Sequence, residues 1–109
     1  MFYEGIAVKR STLKKQIIST FKSFNPEKII LFGSMAREES DALSDVDLIV
    51  VYKTDKRFMS RLRELYMRWD IPKALDILAY TPSEFDDMVK ESLFMREVMK
   101  TAEVIYERL

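Results

Sequence analysis

The chain has 109 residues, 48% hydrophobic and 33% charged, with 18 basic and 18 acidic side chains in balance. That describes one domain over residues 1–109, with neither the basic excess that holds a nucleic-acid backbone nor the polarity of a disordered tail. With no Cys and no His, thiol nucleophiles, disulfide scaffolds, imidazole bases and most transition-metal sites are excluded, so catalysis must rest on carboxylates, hydroxyls, Lys, Arg or a hard cation.

Residues 11–24 predict a helix, with Ser11 as cap and Leu13, Ile17, Phe21 and Phe24 at helical spacing. Asn25-Pro26 ends it, because a residue before proline avoids helical geometry. Residues 28–32 predict a short buried strand, broken by Gly33-Ser34, with a helix beginning over 35–39 and a polar loop over 40–44. Residues 45–52 predict the clearest strand; after its acids, Leu48-Ile49-Val50-Val51 is apolar at every position, which implies burial on both faces. A helix over 56–70 carries Phe58, Leu62, Leu65, Tyr66 and Trp69 on one side, and Ile71-Pro72 stops it. A third strand spans 74–80. Thr81-Pro82-Ser83-Glu84 opens a helix, with a capping Thr, Pro in the first turn and Glu three residues on. The helical pattern runs to about Lys100 with a break near Ser92, and Val104-Ile105-Tyr106 fits either a last strand or a final helical turn. Alternating strands and helices predict an α/β (α+β) two-layer domain: a small mixed sheet of three or four strands with helices mainly on one face.

Three features carry chemistry. Asp45 and Asp47, two apart at the start of a strand, point to the same side. Asp76 sits early in the next strand, and the intervening helix makes those two strands parallel, so Asp76 lies level with the pair. Converging carboxylates repel, and a divalent cation relieves both the repulsion and the desolvation. Without His or Cys the cation is a hard one, Mg²⁺ or Mn²⁺. Three carboxylates at one sheet edge suit two metals and in-line phosphoryl or nucleotidyl displacement. Gly33-Ser34 supplies the other half: glycine lets a phosphate approach the backbone, Ser34 offers a hydroxyl at a helix start, and Arg37 follows one turn later. For that loop to meet Asp45, the first two strands must be antiparallel. Taken singly, each feature has an ordinary reading: a turn, a solvated acidic loop, an Asp paired with Lys73, a surface Arg. Their order along the chain points to chemistry.

Leu31-Phe32-Gly33-Ser34-Met35-Ala36-Arg37, then Ser44-Asp45-Val46-Asp47-Leu48, then Leu75-Asp76-Ile77 resembles the nucleotidyltransferase superfamily that includes DNA polymerase β, closest to its minimal branch. The resemblance covers most of the chain, and the twelve-residue spacing from Gly33 to Asp45 makes it specific. It implies Mg²⁺-dependent transfer of NMP, with AMP from ATP first in line, to an acceptor hydroxyl. By position, Gly33, Ser34, Arg37 and Ser44 would bind the nucleotide. Asp45, Asp47 and Asp76 would bind the metals, and Asp76 would help deprotonate the acceptor. Glu38 departs from the family, where Gly often follows the Arg. Minimal members pair with a helical HEPN-domain protein, often a toxin ribonuclease, and act as antitoxin by binding it and adding AMP to its tyrosine.

The expected partner is therefore a HEPN-domain protein, with a homo-oligomer as the simpler alternative and no direct nucleic acid. Candidates for an exposed apolar surface are Phe2, Tyr3, Met59, Tyr66, Met67, Phe94, Met95 and Met99, although helical spacing favours a core place for most of them. Two other functions compete: a non-catalytic module that masks a partner, and a transferase acting on a small molecule or nucleic-acid end. No apolar run approaches the roughly 18 residues of a membrane helix, and residues 1–9 lack the pattern of a signal peptide, so the expected location is the cytoplasm.

Overall fold

The computed structural model describes residues 10–37 and 45–109. Four strands form one sheet: β1 (Lys28–Phe32), β2 (Val46–Val51), β3 (Leu75–Tyr80) and β4 (Glu103–Glu107), in the order β3-β2-β1-β4. β1 pairs antiparallel with β2 and with β4, while β2 and β3 are parallel. The mixed sheet and the α/β class are as expected. The undecided C-terminal segment is a strand: Val104-Ile105-Tyr106 lies along the outer edge of β1, whose backbone groups would otherwise lack partners.

The helices are α1 (Arg10–Phe21), the single turn α2 (Gly33–Ala36), α3 (Phe58–Arg68), α4 (Pro82–Glu91) and α5 (Leu93–Thr101). Arg10 is already helical, so Ser11 lies inside α1 rather than capping it. A 3₁₀ turn over Lys22–Phe24 continues α1, and Asn25 closes it in the left-handed region (φ 54°), donating its N–H to Lys22 O at 2.9 Å. Thr81 and Glu84 form the anticipated capping box, with Thr81 N–H donating to Glu84 Oε1 at 2.9 Å and Glu84 N–H to Thr81 Oγ1 at 3.3 Å. Ser92 ends α4 and caps α5, its hydroxyl accepting from Met95 N–H at 3.1 Å.

The layering differs from the expectation of helices mainly on one face. Ile29, Leu31, Leu48 and Val50 pack under α1 and α3 with Leu13, Ile17, Phe21 and Leu65. Ile30, Ile49 and Val51 pack under α4 and α5 with Phe85 and Met95. The central strands are apolar at consecutive positions, so both faces need cover. Each fully buried Ile, Leu or Val contributes about 1.5–3 kcal/mol, enough that neither face could be left in water. Met95, a candidate for the exposed surface whose helical spacing equally fitted the core, has 0% exposure and is a centre of the second core. Met99 is half-buried against that core.

Polar and aromatic contacts tie α1 to the rest of the fold. Arg10 donates to the carbonyl of Met35 in α2, and Arg10 and Lys14 reach Glu103 of β4 at 3.4 and 2.6 Å. Phe21 stacks on Trp69 (6.0 Å, 16°), and the Trp69 indole donates to Lys73 O at 2.7 Å.

Candidate active site

Register brings the acids together. Asp47 is the direct partner of Asp76 across the parallel β2–β3 pair and of Phe32 across the antiparallel β1–β2 pair. Neighbouring strands lie about 4.8 Å apart, so the two carboxylates project side by side from one sheet face. That face is the one under α4 and α5, because Ile49 and Val51 share the orientation of Asp47. Asp45 is exposed in the residue just before β2.

The electrostatics record this convergence. Burial pushes the Asp47 carboxyl above its ordinary range; the neighbouring Asp76 and Asp45 charges and a hydrogen bond with Asp76 raise it further, and Arg37 opposes them.

Gly33 closes the site from the β1 side. The chain leaves Phe32 in an extended conformation (φ −135°, ψ −175°) and turns at Gly33 into the left-handed region (φ +74°). A β-carbon on residue 33 would lie 3.1 Å from Asp47 Cγ and closer still to Oδ2. The glycine is thus required by its backbone angle and by the carboxylate beside it. Ser34 is half-buried in the first turn of α2, and Arg37 follows it, its N–H donating to Gly33 O at 3.2 Å. The helix expected over 35–39 is a single turn over Gly33–Ala36, too short to build a large dipole. An anion placed there would meet the turn's backbone N–H groups, the Ser34 hydroxyl and the Arg37 charge. Ser44 and Glu38 lie outside the described residues.

Among the described residues, no group of three or more acidic side chains is gathered tightly enough, as placed, to hold a metal ion. The chemistry of the donor set nevertheless fits a hard divalent cation. The donors are carboxylates only, and their repulsion is already visible at Asp47.

Beside Gly33 opens a cleft of about 310 Å³, bounded by Phe32, Gly33 and Arg37 on one side and by Phe94, Glu97 and Thr101 of α5 on the other. Of Phe94, Glu97 and Thr101, only Phe94 stood out in the sequence, as a surface candidate. Positions 94, 97 and 101 recur at helical spacing, which marks a shared helix face but not what that face looks onto.

A left-handed glycine turn set against in-register carboxylates on a mixed sheet defines a nucleotidyltransferase type of site. Residues 15–109 match the model of the family described as polymerase beta, nucleotidyltransferase, and the chain belongs to that family. Its chemistry is transfer of a nucleoside monophosphate from a nucleoside triphosphate with divalent metal. The fold is also similar to a crystal structure from Sulfolobus solfataricus, described provisionally as a nucleotidyltransferase. The TM-score is 0.64 at 20% identity, covering 97% of this chain and 86% of that one. No curated protein matches the chain.

Proposed function

We propose that this protein transfers AMP from ATP to a tyrosine hydroxyl of a helical HEPN-domain toxin and so serves as its antitoxin. The observation that carries the transfer reaction is the register of Asp47 with Asp76 against Gly33. In the step proposed, the acceptor oxygen attacks the α-phosphorus. The bond from that phosphorus to the oxygen bridging to the β-phosphate breaks, and pyrophosphate leaves. The hydroxyl proton passes to the Asp76 carboxylate. Gly33, Ser34 and Arg37 hold the phosphates. Asp45, Asp47 and Asp76 would hold Mg²⁺, two ions in the full site with Mn²⁺ as substitute; the metal would stabilise charge on the phosphate oxygens and lower the pKa of the hydroxyl.

The choice of a protein acceptor rests on the resemblance to the minimal branch. Exposed Met59 (71%) and Met67 (79%) on α3 support it, as adaptable apolar contacts on a surface. The test is incubation with Mg²⁺, ATP and a HEPN-domain toxin, read by intact mass and peptide mapping. One added AMP on a tyrosine, absent with Asp45→Asn, supports the proposal. A tight complex without AMP transfer would favour the masking module. AMP found only on a nucleic-acid end or small molecule would give the third function.

A further inference from the structure

The cleft between Gly33 and α5 has no part in the proposed step, yet it shares Gly33 and Arg37 with the phosphate-binding turn. An NTP bound with its α-phosphorus near the carboxylates sends its two ends in different directions, the nucleoside one way and the pyrophosphate the other. The lining of the cleft decides which end it suits. Phe32 and Phe94 give it apolar walls, and Glu97 places a carboxylate in it, which repels a polyanion. Thr101 adds a hydroxyl. A flat apolar surface with a few acceptors suits a nucleobase and sugar, and Arg37 at the junction suits the first phosphate.

Phe94 itself points the same way. It is 59% exposed, while Met95 beside it has 0% exposure and carries the packing of α5 into the core. Packing therefore leaves the Phe94 ring unexplained. Glu97, on the same side of the helix, lines the cleft as well and forms an exposed ion pair with Lys100 at 2.8 Å.

We infer that this cleft is the nucleoside half of the site, with the base lying against the Phe94 ring and Glu97 and Thr101 at its polar edge. The inference rests on the nucleotidyltransferase reading above and adds to it where the base sits. Stacking of a base on an aromatic side chain sets the expected effect of removing the ring at about five- to hundred-fold in affinity.

The experiment compares binding of Mg²⁺·ATP and Mg²⁺·tripolyphosphate, which has the phosphates without a nucleoside, by calorimetry. Wild type, Phe94→Ala, Phe94→Tyr and Asp45→Asn are the proteins used. The expected result is that Phe94→Ala weakens ATP by the factor above and leaves tripolyphosphate unchanged, Phe94→Tyr restores ATP, and Asp45→Asn weakens both ligands. Retained ATP affinity in Phe94→Ala, with binding lost in Asp45→Asn, overturns the inference and leaves the nucleotidyltransferase reading standing. Equal loss of both ligands in Phe94→Ala overturns it as well, because the ring then serves the phosphates or the fold. Wild-type protein that binds neither ligand removes the underlying reading, and the inference with it.

Discussion

The carboxylate of Asp47 occupies the space where a side chain on Gly33 would begin. The glycine turn after β1 and the acidic start of β2 are thereby held in contact at the end of the β1–β2 pair. Gly33→Ala is expected to disturb both. The left-handed angle costs a non-glycine residue about 1–3 kcal/mol, and the new methyl group must displace Asp47. Unfolding in denaturant should show that loss of stability, and transfer activity should fall with it. A Gly33→Ala protein of wild-type stability and activity would contradict the contact.

Asp47 is a site where stability and function oppose one another. Its carboxyl is half-buried beside two others, so removing the charge relieves repulsion. Asp47→Asn is expected to raise metal-free stability by about 1 kcal/mol, read as a higher melting temperature. Transfer should fall by more than the roughly 10–100-fold typical when a partner of a metal ligand is lost. Melting curves in chelator, set beside transfer rates, check both. Lower metal-free stability would show that the carboxylate is net stabilising where it stands.

Ligand linkage gives a test that needs no acceptor. Mg²⁺ with ATP at about a hundred times its dissociation constant should add roughly 2.7 kcal/mol to stability. For a domain of this size that is a rise of about 10 °C in melting temperature. The rise should vanish with chelator and in Asp45→Asn. A rise in the variant equal to that of wild type would place the nucleotide elsewhere.

The acid limb of the stability profile should depend on Glu84. Its carboxyl is held below the ordinary value of 4.5, chiefly by its hydrogen bond to Arg61 and also by the Thr81 N–H. A depressed carboxyl contributes stability that is full above the unfolded value and is lost as pH falls through the folded one. The loss therefore falls below about pH 4.5. Asp47 acts with the opposite sign, because its raised carboxyl favours the folded state on protonation. The difference between wild type and Glu84→Gln isolates Glu84: the variant should be less stable at neutral pH and should converge on wild type in acid. A gap that stays constant down to pH 3 would remove the ion pair as the cause.

Arg61 itself is expected to matter more than its partner. It is nearly buried, and its guanidinium donates to Lys56 O at 2.7 Å, Ala79 O at 3.2 Å and Glu84 Oε1 at 2.6 Å. Arg61→Ala strands two backbone carbonyls, at about 1–3 kcal/mol each if water cannot replace the donor. Glu84 is 45% exposed and is easily rehydrated, so the pair itself adds little. Urea unfolding of Arg61→Ala against Glu84→Gln measures the ordering, and a larger loss in Glu84→Gln would reverse it.

Much of this protein was decided by residue order alone. The apolar run Lys28–Phe32 sets β1, and Thr81 with Glu84 sets the start of α4, because these depend on neighbours a few residues away. The parallel β2–β3 pairing follows from the helical crossover between them, and with it the approach of Asp76 to Asp47, while the antiparallel β1–β2 pairing follows from the need for the Gly33 turn to meet the acids. Tertiary structure decided what depends on contacts across the chain. Val104-Ile105-Tyr106 is a strand because β1 offers it an edge, and Met95 is core because the second face of the sheet needed covering. The left-handed angle at Gly33 and the cleft facing Phe94 exist only once β2 and α5 are packed beside the turn. A local pattern can specify which residues form a helix or strand, but only the packed chain specifies which surfaces meet.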